Sequence, residues 1–275
     1  MPFLNLPTDI RIHYERRGTG PPLILIMGTG LDCSCWNLQI EAYQHFFEVI
    51  SFDNRGTGKT TASRDRLTVQ LMAQDTADLI EALGLGPAHI SGLSLGSCIA
   101  QELTLRKPEL VLTLQLHGTW ARTNGYANKK FRTQIHLLEQ LDIPSFYEIN
   151  LLWLITPEYM DRHPDQVTKQ MSKIVQNAPE KELLKQQYEA DLYHDTLDRL
   201  YQIQVPTLIT VGSFDLAIPP MYGREVASAI PNSELVVFQD GGHLHNFEQP
   251  EEFNRVTLDF LKQHTAHDLP KAVPC

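Results

Sequence analysis

The sequence predicts an α/β protein built on a mostly parallel central sheet flanked by helices. Three observations carry that expectation. Short apolar runs alternate with amphipathic stretches through residues 1–118, the same rhythm returns over residues 203–275, and residues 119–202 between them show helical periodicity with no strand signal.

Residues 10–15 alternate apolar and polar side chains, as a half-exposed strand does, while residues 23–27 form a continuous apolar run between Pro21-Pro22 and Gly28, the pattern of a buried strand. Residues 49–52 make another such run, closed by Asp53 and the turn residues Arg55-Gly56-Thr57-Gly58. Over residues 68–83, Val69, Leu71, Met72, Ala73, Leu79, Ile80 and Leu83 recur at helical spacing, with Thr68 as N-cap and Gly84 as the stop. A strand at 89–92, a helix at 98–106 and a strand at 111–116 follow. In the middle segment, helices are expected at 129–141, 144–155, 166–176 and 180–193, punctuated by Pro144, Pro157, Pro164 and Pro179. That run has the character of a helical lid inserted between strands. The rhythm then resumes with a strand at 207–211, a helix at 221–230, a strand at 235–238 and a final helix at 250–264. The tail at 265–275, with Pro270 and Pro274, carries no signal.

Bulk properties narrow the function classes. Hydrophobic residues make up 42% and charged residues 20% of the 275, ordinary for a globular chain, and the formal net charge is −10. An acidic balance argues against a phosphate-binding surface, and the basic cluster Arg122, Lys129, Lys130 and Arg132 is expected to be a solvated helix face. The four cysteines (Cys33, Cys35, Cys98, Cys275) form neither a disulfide framework nor a paired zinc motif. Residues 1–9 lack a basic segment followed by an apolar run, and no stretch is long enough to span a membrane. A cytoplasmic protein is the expectation.

The sharpest chemical signal is Gly92-Leu93-Ser94-Leu95-Gly96, placed between an expected strand and an expected helix. A GxSxG pentapeptide there forces a tight turn that lifts the serine hydroxyl above the sheet, near the positive end of the helix. A serine needs a base to take its proton. Gly241-Gly242-His243 supplies one in the loop after the last strand, with His245 as the rival two residues on. The imidazole needs a carboxylate, and Asp215, within Gly212-Ser213-Phe214-Asp215 after the strand at 207–211, is placed on the same sheet edge. Asp240 reads as a strand terminator, and the loop His117-Gly118-Thr119-Trp120 carries no acid. For an oxyanion hole, the backbone N–H of Leu95 is one expected donor and that of Thr29 the other, with Gly30 second. Two glycine patterns lead nowhere. Cys33 stands where a dinucleotide fingerprint would need its third glycine after Gly28 and Gly30, and Asp53 stands where a phosphate loop ending in Gly58-Lys59-Thr60 would need its first.

With those residues, the chain resembles the α/β-hydrolase family over nearly its whole length. The order Ser94, Asp215, His243 is that family's order; Phe52-Asp53-Asn54-Arg55-Gly56-Thr57-Gly58 is similar to its D-x-R-G-x-G loop, and His243 through Glu248-Gln249-Pro250 to its closing G-H…E-x-P. Met27 departs from the pattern, replacing the usual histidine of the oxyanion loop. The elbow resembles that of enol-lactonases, while Trp120-Ala121-Arg122 with Asn124 is similar to hydrolases of pyrimidine breakdown that act on aminoacrylate or carbamate. The resemblance implies a core of residues 1–118 and 203–275, and a helical lid at 119–202 after the sixth strand. It implies a serine hydrolase of small esters, lactones or related acyl compounds, working without metal or organic cofactor, with neither nucleic acid nor membrane as partner and a homodimer left open. C–C, amide or carbamate cleavage, perhydrolysis, and a small-molecule receptor on the same fold are the alternatives. Gly28, Gly30, Trp120, Arg122, Trp153 and Tyr159 are the expected substrate contacts.

Overall fold

The computed structural model describes residues 2–62 and 66–265, so most of the proline-bearing tail, Cys275 included, lies outside the described residues. The chain opens with an antiparallel pair, β1 (Phe3–Leu6) and β2 (Ile10–Arg17), followed by β3 (Pro22–Ile26), α1 (Asn37–Tyr43), β4 (Glu48–Phe52), α2 (Val69–Ala82), β5 (Ala88–Leu93), α3 (Leu95–Arg106) and β6 (Val111–His117). The described residues between β6 and the next strand form five helices: α4 (Gly125–Gln140), α5 (Ile143–Leu154), α6 (Pro157–Arg162), α7 (Pro164–Gln176) and α8 (Lys181–Leu192). The chain then returns to the sheet with β7 (Thr207–Gly212), α9 (Pro220–Ala229), β8 (Ser233–Phe238), α10 (His245–Glu248) and α11 (Pro250–Thr265).

The sheet has eight strands in the order β1-β2-β4-β3-β5-β6-β7-β8, antiparallel at β1–β2–β4 and parallel from β4 onward. This is the α/β-hydrolase fold the sequence predicted. Its central strands carry unbroken apolar or small residues because helices cover both faces. Leu23 to Ile26 on β3 are fully buried, as is every residue of β5 and β7. The direction of strand addition reverses at β3. The chain steps out to β4, then returns to place β5 on the other side. A crevice opens at such a reversal, beyond the strand C-termini. The loops after β3 and β5 therefore diverge around one point.

Element boundaries moved where turn chemistry outweighs periodicity. β1 was not expected, since four residues at the chain start carry little pattern; it is held by pairing Leu6 to Ile10 and Phe3 to His13. α3 begins at Leu95 rather than 98, because Ser94 itself is its N-cap position. α6 was missed because Pro157 read as a breaker. Proline is tolerated in the first turn of a helix, and the Thr156 hydroxyl caps this one by accepting from the Tyr159 N–H at 3.3 Å.

A buried ion pair locks the loop after β4 in place. The Arg55 guanidinium donates to both Asp75 oxygens, at 2.9 and 2.6 Å, and to the Thr8 carbonyl at 3.2 Å, with the Arg55 side chain fully enclosed. Burial raises the Asp75 carboxyl above its ordinary range despite that partner. Removing one member of a buried pair leaves the other charge uncompensated. We expect Asp75→Ala to cost about 3 kcal/mol in urea unfolding, and Arg55→Met with Asp75→Leu to cost less than that single change; a double variant worse than the single would show that the pair itself contributes the stability.

Candidate active site

Ser94 stands between β5 and α3 with φ 54° and ψ −122°, a conformation side chains rarely adopt. Its N–H donates to the His117 carbonyl at 2.9 Å, and its carbonyl accepts from the Ser97 N–H at 2.8 Å and the Ser97 hydroxyl at 2.6 Å. The two flanking glycines are required by close approach. A Cβ on Gly92 would collide with the Gly96 carbonyl, and one on Gly96 would collide with the Ile26 carbonyl of β3. Ser94 lines a cavity of about 30 Å³ together with His243, Gly28, Thr29 and Lys130.

His243 follows β8 and is buried. Its Nδ1 bonds Asp215 Oδ2 at 2.7 Å, and the other Asp215 oxygen accepts from the Ile218 N–H at 2.7 Å, so the carboxylate is fixed on both sides. Space for the ring comes from Gly118 in the loop after β6. At φ 54°, a Cβ there would lie 2.8 Å from His243 Cε1 and 2.9 Å from Nδ1.

His245, the rival, sits in a different network. It bonds the Gly242 carbonyl through Nδ1 at 3.2 Å and Thr210 Oγ1 through Nε2 at 2.7 Å; Thr210 Oγ1 also bonds His117 Nδ1 at 2.7 Å, and His117 Nε2 bonds the Ser91 hydroxyl at 3.0 Å. A carbonyl only accepts, so the pattern assigns the chain. His245 carries its proton on Nδ1, Thr210 donates to His245 and accepts from His117, and Ser91 donates to His117. Both rings are thereby neutral. Burial lowers His245 to about 4 and His117 well below its ordinary value. A histidine held neutral when folded binds fewer protons than in the unfolded chain, so its contribution is intact above about pH 6.5 and is lost as pH falls toward 4. Urea midpoints taken across that window should decline, at up to about 1.4 kcal/mol per pH unit for each such ring, and His245→Asn should flatten the decline by one ring's share.

The loop after β3 is held from two sides. From the sheet, the Asn54 amide donates to the Met27 carbonyl at 2.7 Å. From α8, Gln187 Oε1 accepts from the Gly30 N–H at 2.7 Å while its Nε2 donates to Thr57 Oγ1 at 2.6 Å, and Asp191 accepts from the Thr29 hydroxyl at 2.7 Å. Burial raises the Asp191 carboxyl. Gly30 is thus spent on Gln187. The Thr29 N–H has no acceptor among the described residues, and Leu95, first in its helix, has none within that helix. Thr29 lines the cavity with Ser94, and Leu95 follows Ser94 in the chain.

Four expected substrate contacts lie elsewhere. Trp120 is fully buried, its indole donating to Thr123 Oγ1 at 2.8 Å and packing on Phe131 and His194. Arg122 is paired on the surface with Asp195 at 2.8 Å and Asp198 at 2.6 Å. Trp153 is half-buried outside the cavity lining, and Tyr159 faces a separate surface groove with Thr156 and His163. Gly30 also lies outside the lining, leaving Gly28 as the contact in place. The lining instead includes Gln134, Tyr147, Asn150 and Tyr188 from the helical segment. Lys130 corrects the expectation of a solvated face, being 8% exposed. The signal was present in helical phase. Ala127, Lys130, Phe131, Gln134 and Leu138 are the buried row of α4, and Lys130 and Gln134 are its polar members.

Among the described residues one group has metal-ligand spacing: His13, Cys33 and Asp53, with ligand atoms within 4.8 Å of one another. Its oxygens are already used. Asp53 accepts from His13 Nδ1 at 2.8 Å, the Cys33 N–H at 2.9 Å and the Lys59 N–H at 2.9 Å, and burial pushes the Cys33 thiol up, which keeps it protonated. The arrangement anchors a loop.

A family model of the α/β-hydrolase fold matches residues 21–250, and the chain belongs to that family. Among its relatives, a protein of Azorhizobium caulinodans named as a carbamate hydrolase is 28% identical over 252 residues, covering 92% of this chain and 95% of the relative. An esterase of Thermogutta terrifontis is 29% identical with a TM-score of 0.85, covering 96% of this chain and 98% of that one. The enol-lactonase of Burkholderia xenovorans is 25% identical with a TM-score of 0.85, covering 95% of this chain and all of that one.

Proposed function

We propose that the protein is a serine hydrolase that cleaves a small carboxylic ester, lactone or related acyl substrate through an acyl-enzyme on Ser94. The observation that carries this reading is the pairing of a serine held at φ 54° with a buried histidine on the same cavity, whose far nitrogen rests on a carboxylate at 2.7 Å. His243 Nδ1–H donates to Asp215, which leaves Nε2 bare to accept the Ser94 proton as the hydroxyl attacks the carbonyl carbon. The carbonyl oxygen gains negative charge and receives the N–H groups of Leu95 and Thr29. Each such donor is worth about 3 kcal/mol at the transition state. The imidazolium, stabilised by Asp215, then protonates the leaving alcohol. Water enters, gives a proton to Nε2, and attacks the acyl-enzyme to release the acid.

Carbamate cleavage is a second reading of the same residues. It is favoured by the amide and phenol groups of Gln134, Asn150, Tyr147 and Tyr188 around the cavity, which suit a polar acyl group better than a hydrocarbon chain, and by the relative named for that activity.

A fluorophosphonate probe should label the wild type and leave Ser94→Ala unlabelled. With 4-nitrophenyl acetate, Ser94→Ala and His243→Ala should each lose roughly 10⁴-fold or more in kcat, and His245→Asn less than about tenfold. Equal losses at the two histidines would remove His243 from the role of base; labelling that persists in Ser94→Ala would remove the serine.

A further inference from the structure

We infer that Lys130 forms an anion subsite beside Ser94, so that the substrate is a short acyl compound whose acyl part carries a carboxylate. The inference rests on the reading of this cavity as the site where Ser94 is acylated.

Lys130 projects from the buried row of α4 into the cavity lined by Ser94 and His243. A lysine taken out of water loses hydration that only a partner can replace. Here the ammonium has no hydrogen-bond acceptor and no ion pair among the described residues, and it lies 4.5 Å from the centroid of the Phe131 ring. An ammonium offers three donors and accepts nothing, so whatever completes it must bring acceptor oxygens. Two acidic groups face it, Asp191 on α8 and Asp215 after β7; Asp215 is engaged through both oxygens, while Asp191 keeps one buried oxygen, Oδ1, without a hydrogen-bond partner. Asp215 holds His243 and the Ile218 N–H, and Asp191 Oδ2 holds Thr29. Burial raises the Asp191 carboxyl and lowers the Lys130 ammonium to about 8, while each charge supports the other, so the pair offsets itself only in part.

Around the ammonium, Gln134 donates to Asn150 Oδ1 at 2.5 Å and Asn150 donates to the Tyr188 hydroxyl at 3.3 Å, while Gln134 Oε1 is buried without a partner. A wall of linked amides and a phenol repels a hydrocarbon chain and accommodates a polar one. The cavity of about 30 Å³ holds about two water molecules before any rearrangement, so a short chain between carbonyl and carboxylate asks the least movement of its walls. A carboxylate at Nζ would form charge-assisted hydrogen bonds with a buried cation that lines the same cavity as the serine.

The experiment measures kcat/KM for monoethyl malonate and monoethyl succinate against ethyl propanoate and ethyl butanoate, which replace the carboxylate with a methyl group. Wild type should prefer the half-esters, and Lys130→Met should reduce that preference about 30-fold, chiefly through KM. Lys130→Gln serves if the methionine variant does not fold. Malonate titrated calorimetrically into Ser94→Ala should bind, and should fail to bind when Lys130→Met is added. Equal rates on charged and neutral esters, an unchanged preference in the Lys130 variant, or malonate binding indifferent to Lys130 would each overturn the subsite. Malonate binding that depends on Lys130 in a protein whose Ser94 takes no probe and cleaves no ester would keep the anion subsite and overturn the hydrolase reading instead.

Discussion

The backbone of Ser94 is the constraint on which the site depends. A serine at φ 54° and ψ −122° stores strain of about 1–3 kcal/mol, and such strain persists only where the surroundings over-determine it. Here they do. β5 enters between β3 and β6, α3 leaves with Gly96 against the Ile26 carbonyl, and the Ser94 N–H is tied to the His117 carbonyl of the neighbouring strand. Relaxing the serine would mean moving a central strand whose residues are all buried. The stability of the sheet is thereby converted into a fixed position for one hydroxyl.

The second requirement is that two histidines two residues apart along the chain behave differently. His243 and His245 differ in what their nitrogens meet. One ring has a carboxylate on Nδ1 and lines the cavity, and the other is closed between a carbonyl and a threonine hydroxyl. The neutral chain from Gly242 through His245, Thr210 and His117 to Ser91 runs under the site from β8 to β5. It joins the strands that precede Asp215 and Ser94 without adding charge beneath them.

Much of this was legible in the sequence because glycines and charges mark loops at strand ends. The pentapeptide around Ser94, Gly241-Gly242 before His243, and the isolated Asp215 identified the residues that the parallel sheet brings to one edge. Thr68 and Gly84 likewise bounded α2, with the Thr68 hydroxyl accepting from the Leu71 N–H at 3.1 Å. The cavity lining was hidden for a physical reason. Aromatic side chains in the helical segment read as binding residues by size, whereas Trp120 is packed between Phe131 and His194 and carries no free face. Lys130 was hidden by its neighbours. Lys129 and Arg132 are exposed on the same helix, and only the phase of the buried row separates it from them. Glu248 illustrates a motif whose purpose appears only in three dimensions: its carboxylate accepts from the Gly242 N–H at 3.1 Å and the Thr156 hydroxyl at 2.6 Å, fastening the histidine loop to the helical segment.

The helical segment is consequently more than a cover. Gln187 and Asp191 on α8 hold the loop that carries the Thr29 N–H, and Glu248 grips the start of α6. A rigid swing of all five helices would break those buried bonds and release the loop that carries Thr29, at a cost of about 1–3 kcal/mol for each buried group left unpaired. The cavity is too small to admit a substrate without some rearrangement. The leucine side chains that line it are Leu93, at the end of β5, and Leu31, Leu154 and Leu244, which lie outside the sheet. Rotation of these leucines would enlarge the cavity without breaking the bonds that α8 makes to the loop after β3. The division follows from the bonding: polar residues fix the chemistry and apolar ones, held only by packing, provide the give.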